Sequence, residues 1–201
     1  MRSMTTLQVN SSIFGAAGES TRLASEFVAQ RGGQVVVRDL ARDPVPHLDG
    51  ERFQAFLAKE PTPAQQAVRA YSDALIDELR QADTIVIGVP MYNFSVPTTL
   101  RAWFDHVARS GITFKYTESG PVGLLTGKKA YVFVTRGGVY GPEDPHAAYV
   151  REMLAFLGIT DVELVYAEGL AVSTKAKQNA LAQAREAIAR LNERQLALTL
   201  G

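Results

Sequence analysis

Between Thr84 and Pro97 the chain reads T-I-V-I-G-V-P-M-Y-N-F-S-V-P, and the first half of that stretch leaves few folds open. Ile85-Val86-Ile87-Gly88-Val89 is continuously apolar, too short for a good helix and rich in β-branched residues. That is the pattern of a strand buried on both faces of a parallel sheet. Pro90 has no amide to donate and stops the ladder. Met91, Tyr92, Asn93 and Phe94 then set a thioether, two rings and an amide where the chain should meet water. In open α/β sheets, ligands bind in the crevice beyond the carboxyl ends of the strands. A loop of this make-up suits a flat, polar-edged ring system better than a compact charged ligand. The plainer alternative is that these side chains pack beneath a neighbouring helix.

Four further strand patterns alternate with helical ones. Thr6–Ser11, Gln34–Leu40, Ala130–Thr135 and Val162–Tyr166 read as strands. Helices are expected from about Thr21, over Arg52–Leu57, from Pro63 to about Gln81, from Pro97 to about Arg109, over Pro145–Leu157 and from Lys175 to about Arg194. Leu100, Trp103, Phe104 and Val107 share one face of the fourth helix, a stripe suited to the core or to a subunit contact. Five strands alternating with helices give a doubly wound parallel sheet with helices on both faces, most simply in the order 2-1-3-4-5. The 201 residues are expected to form one domain. Residues 1–4, ending in a second methionine, read as a dispensable leader. The stretch 110–128 reads as a hairpin or lid insertion, because loops this long inside compact domains are usually functional.

Two more loops carry chemistry. After the first strand, Ser12 leads through Gly18 and Glu19 to Ser20, an N-cap candidate; small residues and hydroxyls at a helix start make an anion site. The spacing fits neither the dinucleotide fingerprint nor a Walker loop, and Gly123-Leu124-Leu125-Thr126-Gly127-Lys128 is one residue short of the latter. After the fourth strand stands Thr135-Arg136-Gly137-Gly138, whose glycines let backbone amides approach a ligand closely. Arg136 fits two roles equally, a donor to that ligand or a charge held in water or an ion pair. In the order 2-1-3-4-5 the ends of strands one, three and four lie side by side, so the three loops converge.

The P-M-Y-N-F run, Y-T-E with the following G-P, R-G-G and the G-I-T-D turn together resemble the FMN-dependent NADH-azoreductases of the flavodoxin-like quinone reductase superfamily. The resemblance spans almost the whole chain. It implies a flavodoxin-like fold and bound FMN, contacted by Ser12, Gly18, Glu19, Ser20, Pro90, Met91, Tyr92, Asn93, Phe94, Thr135, Arg136, Gly137 and Gly138. It further implies a substrate pocket of Phe94, Tyr116, Tyr140 and Phe156, with Phe156 capping a neighbouring subunit's pocket. Three positions depart from the family, Gly18, Glu19 and Tyr140. Glu19 brings a carboxylate beside a phosphate and should offer its amide while its side chain points away. Tyr140 stands where the best-known members carry histidine. The activity implied is two-electron transfer from NADH or NADPH, by a ping-pong mechanism, to quinones and azo or nitroaromatic compounds. The flavin carries the chemistry, so no catalytic side chain is expected. Small aromatic acceptors are the expected partners, in a homodimer with composite active sites.

Composition narrows the field from the other side. Lys+Arg and Asp+Glu both number 21, so nothing supports nucleic-acid or membrane-surface binding. With no cysteine and three scattered histidines, thiol chemistry is excluded and no metal site is expected. No apolar run reaches membrane-spanning length and no signal peptide is evident, which points to the cytoplasm. The other classes open to this sequence are an electron carrier or regulatory flavoprotein without a substrate pocket, and a flavin-free binding module. Carriers are usually acidic, which this neutral chain is not.

Overall fold

The computed structural model describes residues 4–141 and 144–200, with side chains to 194. The expected leader therefore lies outside the described residues, apart from the exposed Met4. Seven strands and six helices follow in the order β1 (Thr5–Asn10), α1 (Glu19–Ala29), β2 (Gln34–Asp39), α2 (Gly50–Leu57), α3 (Pro63–Gln81), β3 (Thr84–Pro90), α4 (Thr98–Val107), β4 (Phe114–Thr117), β5 (Gly120–Gly123), β6 (Lys129–Thr135), α5 (Pro145–Leu157), β7 (Asp161–Ala167) and α6 (Thr174–Leu200). The main sheet runs β2-β1-β3-β6-β7, all parallel, which is the expected order with the hairpin strands set aside.

β3 lies at the centre with every residue buried, as its apolar run demands. The core divides between the two faces of the sheet. On one face, α4 presents Leu100, Trp103, Phe104 and Val107, all at 0% exposure. Each contributes on the order of 1.5–3 kcal/mol by leaving water. The aromatic stripe is thus spent in the chain's own core and offers no subunit contact. On the other face, α1 seats against β3, where a Cβ on Gly88 would stand 3.1 Å from the Ser20 carbonyl. A side chain there would push the Ser20 backbone back by a few tenths of an ångström, and the close approach carries the start of α1 to the carboxyl end of β3.

Local sequence sets several boundaries. Thr62 and Gln65 form a capping box at α3, and Asp144 caps α5 by accepting from the amides of His146 and Ala147. Gly158 closes α5 with φ of 101°. Ser20, in contrast, is not an N-cap. Helix α1 starts two residues earlier, with Gly18 as its cap, and Ser20 is fully buried inside the helix. Lys128 donates to the carbonyls of Arg80 and Ala82 at the end of α3, so the Walker-like run is a helix cap in practice.

The hairpin expected over 110–128 is present as antiparallel β4 and β5. It does not cover the end of the sheet that carries the loops. Gly123 packs on the backbone of Gly158, and the Leu125 amide donates to Leu157, so the hairpin is fastened to the far end of α5.

Candidate active site

The loops after β1, β3 and β6 meet in a crevice of about 170 Å³ at the carboxyl ends of the strands. Ser12, Phe14, Gly18, Glu19, Pro90, Met91, Tyr92, Thr135, Arg136, Gly137 and Leu170 line it. Wider grooves of about 420, 480 and 520 Å³ lie elsewhere, against β7 and at the amino ends of the strands. None of them gathers hydroxyls, free amides and flat side chains together, which makes the smaller crevice the candidate site.

One end of the crevice is built for an anion. Ser20 Oγ and Thr21 Oγ1 are buried without a hydrogen-bond partner among the described residues. A buried orphan hydroxyl costs about 1–3 kcal/mol unless something satisfies it. The first amides of α1 add free donors and the positive end of the helix dipole. Gly18 has no room for a side chain, because a Cβ there would fall 2.1 Å from Ser12 Oγ. The Glu19 carboxylate turns outward, to Lys177 Nζ at 2.6 Å and Arg22 at 3.6 Å.

The floor comes from β3. The Met91 amide donates to the Thr135 carbonyl, which fixes this loop to β6. Tyr92 and Ser95 exchange two backbone hydrogen bonds around Asn93 and Phe94, whose φ values are +49° and +62°. This is a two-residue reverse turn in which both central residues are left-handed. It lifts Phe94 into solvent, 74% exposed, and sets its ring edge-on to Tyr140 at 6.1 Å.

The remaining wall is 137–141. The carbonyls of Gly137 and Gly138 accept from Ala171 and Gly169, and their own amides have no partner among the described residues. Tyr140 lies on Gly138, where a Cβ would meet the phenol ring and hydroxyl at 3.0–3.1 Å. Behind this wall Arg136 is almost wholly buried. Its guanidinium stands 3.1 Å from Asp144 and 3.6 Å from Glu168, between the faces of Tyr140 and Tyr166. Glu168 also accepts from the amides of Tyr140 and Gly141. Arg136 thus stands in an ion pair rather than in water, and it also lines the crevice. His146, also buried, places Nε2 3.2 Å from the Pro90 carbonyl. Burial holds its pKa below the usual histidine range, with Asp144 opposing the shift.

Not every expected residue joins the crevice. Asn93, Phe94, Gly138, Tyr140 and Ser20 are not among the residues that line it. Tyr116 and Phe156 do not reach it within one chain. Phe156 lies ten residues beyond His146 along α5, about 15 Å at the helical rise. It packs on Phe114, which in turn meets Tyr116 edge-on. The expected wall of Phe94, Tyr116 and Phe156 is therefore not formed by a single chain. Sequence reasoning missed Thr21, Phe14 and Leu170. Phe14, an aromatic in a loop flanked by glycines and serines, carried the same signal as Phe94; Leu170 carried none.

Comparison with known proteins agrees with this geometry. The family described as "Flavodoxin-like fold" matches residues 4–191. An FMN-dependent NADH:quinone oxidoreductase from Cellvibrio japonicus is 51% identical over 180 residues, covering 85% of this chain and 90% of that one. A protein of the same description from Alcanivorax borkumensis is 49% identical over 191 residues, covering 90% and 96%. Among solved structures, an azoreductase from Bacillus anthracis str. Sterne superposes with a TM-score of 0.86 at 27% identity, covering 95% of this chain and 99% of that one. An FMN-dependent NADH-azoreductase from Bacillus anthracis str. Ames Ancestor, in complex with FMN, gives 0.81 at 29%, covering 94% and 99%.

Proposed function

This chain belongs to the flavodoxin-like family of FMN-dependent NADH:quinone oxidoreductases and azoreductases, and from that membership we propose how its own residues carry the reaction. The protein uses FMN and NADH to reduce quinones. The single observation that carries the residue assignment is the pair of buried, orphaned hydroxyls at the start of α1, next to Gly18 and Glu19, which line the same crevice as the flat loop after β3. Ser20, Thr21 and the free amides of α1 would hold the flavin phosphate. Bound there, FMN supplies the hydride and electron chemistry that the side chains lack.

The protein's part is binding, orientation and exclusion of water. Met91 and Tyr92 support the ring system, and Pro90 and Thr135 fix its inner edge. The free amides of Gly137 and Gly138 point donors toward the edge that gathers negative charge on reduction. Phe94 and Tyr140 flank the mouth where NADH and then a flat acceptor stack in turn, which is the ping-pong order. Azo and nitroaromatic acceptors fit the same apolar entry.

The crevice of one chain is open where Tyr116 and Phe156 were expected. Both residues are completed as pocket walls if a second copy presents its hairpin and the end of its α5. Tyr116 is 71% exposed, in keeping with that reading. The assembly is accordingly a homodimer with composite sites.

The test is the visible spectrum of the purified protein before and after FMN, then after NADH without oxygen. We expect a bound-flavin spectrum that NADH bleaches fully, parallel double-reciprocal plots with a quinone, and a dimer by sedimentation. A bound flavin left unbleached by NADH would replace the enzyme reading with that of an electron carrier.

A further inference from the structure

Lys177 has no place in the site as the loops alone define it. It belongs to the opening turn of α6, more than 150 residues from the phosphate loop. A cation there is opposed by the helix dipole, whose amino end is already positive. Its ammonium nonetheless lies 2.6 Å from the Glu19 carboxylate, while Arg22 stands further off at 3.6 Å and is more exposed. Glu19 is the first residue of α1 and lines the crevice. Next to it the Ser20 and Thr21 hydroxyls are buried and unpartnered.

These facts set two charges against each other. A carboxylate at the mouth of an anion cradle repels a phosphate dianion, and a lysine in contact with that carboxylate cancels the repulsion. We infer that Lys177 is a positioning residue for cofactor retention: it holds the Glu19 carboxylate out of the cradle and neutralises it, so that the phosphate end of a flavin mononucleotide is accepted. The inference rests on the FMN reading above. It assigns α6 a part in cofactor binding that the loops do not reveal.

Three variants and two ligands test it, with the apo-protein titrated by flavin fluorescence quenching. Riboflavin shares the ring system and lacks the phosphate. Lys177→Met should weaken FMN about tenfold, a modest figure because the pair is partly exposed, and leave riboflavin unchanged. Glu19→Gln should tighten FMN. The double variant should return FMN to within about threefold of the wild type, since the pair and its absence carry the same net charge. Lys177→Arg should retain wild-type affinity. Raising the salt should shrink the Lys177→Met effect.

Equal losses for FMN and riboflavin in Lys177→Met, an unchanged FMN affinity, or no compensation by Glu19→Gln would each overturn the inference and leave the oxidoreductase standing. Wild-type protein that binds riboflavin as tightly as FMN would do the same. Wild-type protein that binds neither would sink the FMN reading itself, and the inference with it.

Discussion

The hydroxyl of Tyr92 stands 3.2 Å from the hydroxyl of Ser12, joining two loops that leave the sheet 80 residues apart. Tyr92 also accepts from the Ile13 amide at 3.3 Å, and Ser12 from the Phe14 amide at 3.2 Å. The loop that floors the crevice and the loop that closes its anion end are thereby held as one surface. Tyr92→Phe removes the link and keeps the ring. FMN affinity should fall about threefold to tenfold, the worth of one or two net hydrogen bonds. Fluorescence titration checks this, and an unaltered dissociation constant would mean the loops are positioned by the sheet alone.

Phe94 has a backbone that β-carbon-bearing residues avoid. Its φ of +62° follows another left-handed residue, Asn93. Left-handed backbone costs a non-glycine residue on the order of 1–2 kcal/mol. Phe94→Gly should therefore raise the thermal midpoint, at about 2–4 °C per kcal/mol for a chain of this size. It should also lower kcat/KM for flat acceptors, because the ring opposite Tyr140 is gone. Calorimetry and steady-state rates on the same preparation decide the matter. A drop in midpoint would show that the ring's packing outweighs the backbone strain.

Arg136 fills a buried gap between two carboxylates and two rings. Arg136→Met leaves Asp144 buried without its cation, which costs about 3–5 kcal/mol. Arg136→Lys keeps the charge but cannot stack its head on Tyr140 and Tyr166, and should fall between the two. Urea unfolding monitored by circular dichroism gives the order. Finding the lysine variant no more stable than the methionine variant would argue that ring stacking, not charge, holds this wall.

Acid should weaken the fold through two histidines. Burial holds both His106 and His146 below the ordinary histidine value of 6.5. The unfolded chain takes up these protons near pH 6.5, whereas the native protein resists until lower pH. Between those limits the unfolded state binds more protons, so stability rises with pH. It is fully present above about pH 6.5 and lost as pH falls through the native values, by up to about 1.4 kcal/mol per pH unit for each histidine. Unfolding midpoints at pH 7.5 and 5.5 should differ, and His146→Gln should show a shallower dependence. Equal dependence in the two proteins would remove His146 from this account.

Much of the molecule follows from local pattern. The apolar run Ile85–Val89 dictates a central strand because only a position covered on both faces gives every one of its side chains a dry neighbour. Pro145, Gly158 and the Thr62–Gln65 box fix helix ends through amides, hydroxyls and left-handed backbone that lie within four residues of one another. With strands and helices in that order, handedness and short connections leave the sheet order nearly no freedom. The meeting of the loops after β1, β3 and β6 is a consequence of that order, so the location of the crevice was legible before any coordinates.

Its wiring was not. Gly18, not Ser20, caps α1, whose start lies close against Gly88 of β3. Arg136 had the same residue type as a solvated charge; it became an ion pair because β7 and α5 bring Glu168 and Asp144 to it. Glu19 meets Lys177 only after α6 crosses back over α1. Phe156 was assigned to a neighbouring subunit's pocket by resemblance alone; within one chain it lies ten residues along α5 from His146, far from the crevice. Periodicity and turn chemistry act between neighbours and so can be read along the chain. Charge pairing and ring contact act through space, and the closing of the sheet is what chooses those partners.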